Sequence, residues 1–310
     1  MQKKILLAVD DSRQSRNAVH YAVRVSSLAK NLHYVLFHVQ PTISLFLQDE
    51  AQKSLKSKAE LDKVLKKNNE VAQKLLVDYR NEMVQMGINP DQIEIITRTR
   101  NLGLAKDIIE FAQERRYDTI LVGRRSLTRL QEMFMGSVTS NILEHSQVLP
   151  VWLVDGEVTG TDVLVAIDGS EASLRAIDHV SFMFSNNPDI RFTLLHVTSK
   201  ARDYCEISLE EEPSAALEEI VARGDKACID QFYSHALGKI KDSGIPEDQL
   251  EMKTIKGGLN TGKAILEEAR KGNFGTLVIG RRGTNKAFFM GSVSRYIINR
   301  ASNAVLWIVN

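Results

Sequence analysis

Thr276-Leu277-Val278-Ile279 runs into Gly280-Arg281-Arg282-Gly283, and Gly291-Ser292 then opens a helical pattern from Val293 to Ile298. An apolar run of this length reads as a buried strand. It feeds a glycine-rich loop, and the loop feeds a helix N-terminus. Glycine permits positive φ and close approach of the backbone, and a helix N-terminus offers unpaired N–H groups at the positive end of its dipole. Together they suit a phosphate. A few glycines after a strand are otherwise an ordinary turn.

The stretch occurs twice. Thr119-Ile120-Leu121-Val122 leads to Gly123-Arg124-Arg125-Ser126, and Gly136-Ser137 precedes another helical pattern. The repeat extends outward over nearly the whole chain. The offset is 158 at Asp10/Asp168, 157 at Gly123/Gly280 and 155 at Trp152/Trp307, so two residues are lost inside the second glycine loop. His38-Val39 recurs as His196-Val197, and the segment from Gly87 to Glu94 recurs from Gly244 to Glu251. Residues 1–155 and 161–310 are therefore expected to be two domains, joined by a short Gly-containing linker. At 310 residues each half is large enough to bury its own core.

Each lap has the same order. Ile5 to Val9 is a continuous apolar run ending in Asp10-Asp11-Ser12, with Ser12 placed to cap a helix carrying Ala18, Ala22, Val25 and Leu28 on one face. A strand from Tyr34 to Val39, a Pro41-led connection and a long helix from Glu60 to Met86 follow, with Gly87 as the stop. Gln92–Thr97, Leu104–Arg115, the strand into Gly123, a helix over Ser137–His145 and the strand Pro150–Val154 complete the lap. The second lap repeats this from the strand Asp162–Ile167, with its long helix around Leu217 to Ile240. Strands alternating with helices imply parallel pairing through right-handed crossovers. Each lap is expected to be a five-stranded, three-layer α/β/α domain with a mostly parallel sheet of flavodoxin- or Rossmann-like type. Ligands in such sheets sit at the carboxyl ends of strands, where the strand order reverses. If strands one and four are neighbours, Asp10 faces Gly123, and Asp168 faces Gly280.

Bulk properties narrow the function. A formal charge of +1 makes no electrostatic case for nucleic acid or an anionic membrane. No apolar run approaches the roughly 18 residues of a spanning helix, and the N-terminus reads without a signal peptide. Cys205 and Cys228, both in one half, point to a reduced cytoplasmic chain rather than a disulfide framework. HExxH, CxxC and aspartate-rich metal loops are absent. The recurring histidines read as hydrogen-bonded structural residues, because no Ser or Cys nucleophile motif accompanies them. Asp10-Asp11 is unlike a phosphate-accepting receiver pair, since Thr97-Arg98 and Val154-Asp155 stand where the third Asp and the Lys would be needed. Arg124-Arg125 and Arg281-Arg282 are read as solvated loop charges, with phosphate contact as the alternative. Trp152 and Trp307 are candidate interface residues between the laps.

Taken together, the first-strand aspartates, the His-Val strand ends and the two glycine loops resemble a tandem universal stress protein over essentially the whole chain. The nucleotide-binding members of that family carry Gly-x2-Gly-x9-Gly-Ser/Thr. The resemblance implies ATP, with Mg²⁺ riding on its phosphates, as the ligand. It implies the nucleoside on Asp10 and Val39, or on Asp168 and Val197. The phosphates would lie on Gly123, Gly136 and Ser137, or on Gly280, Gly283, Gly291, Ser292 and Val293. It also implies that the two laps pair with each other, so that one chain serves as its own dimer; a homodimer of whole chains is left open. Neither lap matches in full. The first keeps the nine-residue spacing, but Ser126 replaces the second glycine; the second keeps both glycines, but only seven residues separate Gly283 from Gly291. The second lap is the favoured site, because a shortened loop can re-route whereas a missing glycine is not replaced. The expected function is a non-enzymatic, ATP-binding stress-response module. The alternatives are a member acting by protein contacts alone, or a weak ATPase. An adenylating synthetase would need a Ser-Gly-Gly-x-Asp-Ser loop after strand one, which neither lap has.

Overall fold

The computed structural model describes residues 2–124, 137–200, 213–257, 260–282 and 290–310. They form two compact units. In the first, β1 (Lys3–Ala8), α1 (Arg13–Leu28), β2 (Leu32–Gln40), α2 (Leu45–Lys53) and α3 (Leu55–Gln85) come first. β3 (Ile93–Thr99), α4 (Leu104–Glu114), β4 (Thr119–Arg124), α5 (Ser137–His145) and β5 (Val151–Asp155) follow. The strands are parallel in the order β3-β2-β1-β4-β5, with Leu7 opposite Leu36 on one side and Leu121 on the other.

The second unit runs β6 (Val163–Ile167), α6 (Glu171–Phe184), β7 (Phe192–Thr198), α7 (Ala215–Asp242), β8 (Leu250–Lys256), α8 (Thr261–Lys271), β9 (Thr276–Gly280), α9 (Ser292–Arg300) and β10 (Ala304–Val309). Its parallel order β8-β7-β6-β9-β10 repeats that of the first. The expected α/β/α fold is therefore present in each unit. Right-handed crossovers put the first and long helices on one face and the last two on the other. Accordingly α6 packs on α7 and α8 on α9, as α4 packs on α5.

Local chemistry explains the elements. Ile5, Leu6 and Leu7 are wholly buried, because a central parallel strand is covered on both faces and so reads as an unbroken apolar run. Gly87 and Gly244 end the long helices at φ +101° and +74°, values that a side chain resists. Two helical starts lie upstream of the sequence reading. Ser44 caps α2 by accepting from the Leu47 N–H, and Ser54 caps α3 by accepting from the Ser57 N–H. The connection after Pro41 is thus partly helical, and the long helix begins at Leu55 rather than Glu60. Trp152 meets the Tyr21 edge at 6.3 Å, and Trp307 stacks on Phe184 at 5.2 Å.

Candidate functional site

Because β1 neighbours both β2 and β4, the chain leaves β1 and β4 toward opposite faces, and a crevice opens at their carboxyl ends. In the first unit this crevice is a cleft of about 230 Å³. Its apolar wall includes Val9, Phe37, Leu104, Ile108, Val122 and Ile142. Asp10, Ser12, Gln14, Thr139, Val39 and Gly123 also line it. Asp10, Val39 and Gly123 are thereby brought together, as is the start of α5, through Val138 and Thr139.

Asp10 is held by a small hydrogen-bonded turn. Its Oδ1 accepts from Ser12 Oγ at 2.5 Å and Ser15 Oγ at 2.6 Å, and its own N–H donates to Ser15 Oγ at 2.9 Å. Ser12 Oγ also accepts from the Ser15 N–H at 3.1 Å, capping α1 as expected. Oδ2 has no hydrogen bond among the described residues. The second unit repeats the device. Asp168 Oδ1 accepts from the Ser170 N–H at 3.0 Å and Ser173 Oγ at 2.7 Å, and Ser170 caps α6. The spacing Asp-x-Ser-x-x-Ser, present in both laps, is the sequence signal for this turn. It shows that the two serines, and not the aspartate alone, shape the site.

Tyr79, buried in α3, reaches the same turn. Its hydroxyl donates to the Asp10 carbonyl at 3.0 Å and lies 3.4 Å from that of Ser12. Burial pushes its phenol up to about 12, so it stays a donor throughout the neutral range. Sequence patterning marks Tyr79 only as one core position of a helix.

Gly123 and Gly280 differ from the expectation in their reason. Neither has positive φ. A Cβ on Gly123 would stand 2.2 Å from the carbonyl oxygen of Gln14, and one on Gly280 would stand 2.9 Å from Ala172 Cβ. Both glycines let a strand end approach the first turn of the helix that follows β1 or β6. The arginines directly after them, Arg124 and Arg281, differ from the reading as solvated charges. Arg124 is the last residue of β4, 1% exposed, with Nε 3.8 Å from Asp155 Oδ2. Burial lowers its pKa, and the Asp155 carboxylate opposes that shift. Arg281 is 5% exposed and donates from Nη1 to Asn310 Oδ1 at 3.1 Å. These two cations are internal and are not solvated loop charges.

The histidines are hydrogen-bonded, as expected. A carbonyl only accepts, so Nδ1–H of His38 donates to Val9 O at 2.8 Å and that of His196 to Ile167 O at 3.3 Å. His196 has a further partner: its Nε2 lies 2.9 Å from Asp225 Oδ2, and Asp225 Oδ1 accepts from Ser199 Oγ at 3.0 Å. The pair is nearly buried, at 5% and 11% side-chain exposure. Asp225 stands among the many charges of α7, so nothing in its local sequence singles it out.

At the helix starts, Ser137 is the first residue of α5, and Ser292 and Val293 are the first two of α9. Gly291 caps α9 without a side-chain bond, at φ −59°, and its N–H already donates to Arg281 O at 3.0 Å. That N–H is therefore spent within the fold. Gly136, Gly283, Ser126 and Arg125 lie outside the described residues. No group of three or more metal-ligating side chains occurs among the described residues, and none of their helices is long and apolar enough to cross a membrane.

The sequence pattern of the Universal stress protein family matches residues 1–155 and again 161–308. A universal stress protein of Methanocaldococcus jannaschii is 26% identical over 157 residues, covering 50% of this chain and 82% of that protein. A universal stress protein of Archaeoglobus fulgidus superposes with a TM-score of 0.70 at 20% identity, over 99% of this chain and 98% of its own. A functionally unknown protein of Pseudomonas aeruginosa does so at 0.56 and 14%, over 99% and 92%. At such identities the structural likeness speaks for the fold. With the family pattern matched twice across nearly all its length, the chain belongs to the universal stress protein family.

Proposed function

We propose that the chain is a non-enzymatic binding module of the stress response, whose first unit, taken as residues 1–155, binds an adenine nucleotide. The observation that carries this is the 230 Å³ cleft at the β1/β4 reversal, where an apolar wall faces a carboxylate whose Oδ2 has no hydrogen bond among the described residues. The wall suits a purine face, and Oδ2 of Asp10 suits the ribose hydroxyls as an acceptor. Val39 lies at the base-binding side. Gly123, Gly136 and Ser137 belong with the phosphates, and Mg²⁺ would arrive on those phosphates rather than on a protein cage. This assignment departs from the preference for the second lap. In the second unit, residues 161–310, the donor at Gly291 is already used by Arg281 O. That favours a second reading for this half, contact with another protein without nucleotide. Asp168, Val197, Gly280, Gly283, Ser292 and Val293 form the alternative nucleotide site there. A cytoplasmic location and pairing between the two units complete the reading.

Calorimetric titration of the nucleotide-stripped chain with Mg-ATP tests it. One site per chain is expected, lost in Asp10→Ala and kept in Asp168→Ala. The reverse pattern moves the site to the second unit, and silence at millimolar ATP overturns the nucleotide reading. Phosphate release over hours would instead support the weak ATPase.

A further inference from the structure

We infer that Tyr79 is a positioning residue of the first cleft, holding the main chain of Asp10 and Ser12 so that the Asp10 carboxylate is presented to the ribose of a bound nucleotide. The inference rests on the nucleotide reading above and adds a component from a different layer of the fold. Asp10 sits at the end of a strand on an exposed turn, where a carboxylate is ordinarily free to wander. Its Oδ1 is held from one side by Ser12 and Ser15. From the other side the Tyr79 hydroxyl donates to the Asp10 carbonyl and lies within reach of that of Ser12. The donor is well supported in turn. Tyr79 is 4% exposed, and one turn along α3 Glu82 accepts from His20 Nε2 of α1 at 2.7 Å. Thus α3 is fixed both to the turn and to the helix the turn begins. A preorganised acceptor avoids the ordering cost of binding, which is how such a strut improves affinity without touching the ligand.

The two units differ at this point. With the offset of 157 that relates Gly87 to Gly244, the position of Tyr79 is taken by Ala236. Ala236 is buried but has no hydroxyl, so the Asp168 turn keeps its serine bonds and lacks the strut. The inference therefore makes the first unit the one whose aspartate turn is braced from the long helix as well as by its serines.

The test is a double-mutant cycle read by calorimetric titration with Mg-ATP, using wild type, Tyr79→Phe, Asp10→Asn and the double variant. Phenylalanine keeps the ring and removes only the donor. One hydrogen bond corresponds to a change of roughly fivefold in dissociation constant, and that is the weakening expected for Tyr79→Phe with Asp10 present. In the Asp10→Asn background the Tyr79→Phe penalty should shrink to less than about twofold, because the two act as one unit. The same collapse is expected when the Tyr79→Phe penalty is measured with 2′,3′-dideoxy-ATP, which lacks the hydroxyls that Asp10 would meet. A Tyr79→Phe penalty that is equal in both backgrounds and with both nucleotides marks a general structural effect and overturns the inference, as does no penalty at all. If wild type is silent, the nucleotide reading falls and takes the inference with it. If wild type binds and Tyr79→Phe binds equally, only the inference falls.

Discussion

Replacing Gly123 by alanine should damage the first unit far more than the equivalent change at Gly280 damages the second. A Cβ on Gly123 would lie 2.2 Å from Gln14 O, 2.4 Å from Gln14 C and 3.0 Å from Gln14 Cβ. Two of these are backbone atoms in the first turn of α1, so relief requires the end of β4 or the start of α1 to retreat by about 1 Å in a close-packed interior. At Gly280 the nearest atom is Ala172 Cβ at 2.9 Å, followed by Ala172 C at 3.2 Å and Arg282 O at 3.3 Å. A shift of a few tenths of an ångström relieves that. Neither glycine uses a left-handed φ, so the difference is steric. Overpacking typically costs about 1–3 kcal/mol, which puts Gly123→Ala near ~3 kcal/mol and Gly280→Ala near ~1 kcal/mol. For a unit of this size, ~3 kcal/mol is a loss of about 6–12 °C in melting temperature. The chain has two tryptophans, Trp152 in the first unit and Trp307 in the second, each fully buried. Urea unfolding followed by fluorescence in a Trp307→Phe background therefore reports the first unit alone, and in a Trp152→Phe background the second. Gly123→Ala should also weaken nucleotide binding, because the displaced turn carries Ser12, Gln14 and Ser15. A Gly123→Ala first unit within about 0.5 kcal/mol of its parent, or a larger loss for Gly280→Ala, would refute the reasoning.

Two further outcomes are expected. Asp225→Ala leaves the buried His196 ring and Ser199 without their shared acceptor; a buried polar group left without its partner costs about 1–3 kcal/mol, so Trp307 fluorescence should report earlier urea unfolding of the second unit while Trp152 reports no change. The pH dependence of the second unit should carry the signature of His179, whose pKa burial lowers to about 3 from an ordinary 6.5. The unfolded chain binds the proton more readily, so stability is complete above about pH 6.5 and falls as pH drops toward 3, at up to roughly 1.4 kcal/mol per pH unit; His179→Leu should flatten that limb in urea titrations at pH 7, 6 and 5.

Much of the fold was legible because burial on both faces leaves a plain mark. Ile5-Leu6-Leu7, Ile120-Leu121-Val122 and Leu277-Val278-Ile279 are central parallel strands and read as such without any partner in view. The repeat then identified the second unit from the first, and Gly87 and Gly244 announced the ends of the long helices. The starts of those helices were legible only afterwards. Ser44 and Ser54 are cap residues, but they stand among other polar residues, and a cap is recognised by the N–H it meets.

The site divided differently. Which residues end the strands is a property of the sequence, so Asp10, Val39 and Gly123 could be named from it, and so could their counterparts Asp168, Val197 and Gly280. Their roles depended on what the chain places opposite them. Gly123 answers to Gln14, 109 positions away; Arg124 answers to Asp155 and lies inside, although an Arg-Arg pair beside glycine reads as a charged loop. Tyr79 and Asp225 look alike in sequence terms, one polar tip on each long helix. One reaches a main-chain carbonyl beside the cleft, and the other reaches a histidine on the strand beneath its helix. The repeat, the strand-helix alternation and the type of sheet were all readable along the chain, because hydrophobic period and turn chemistry are local. That Gly123 and Gly280 are there for steric reasons, that Arg124 and Arg281 are buried, and that Tyr79 braces one aspartate turn while Ala236 leaves the other without a strut came from the folded chain, because each depends on distances between residues remote in sequence.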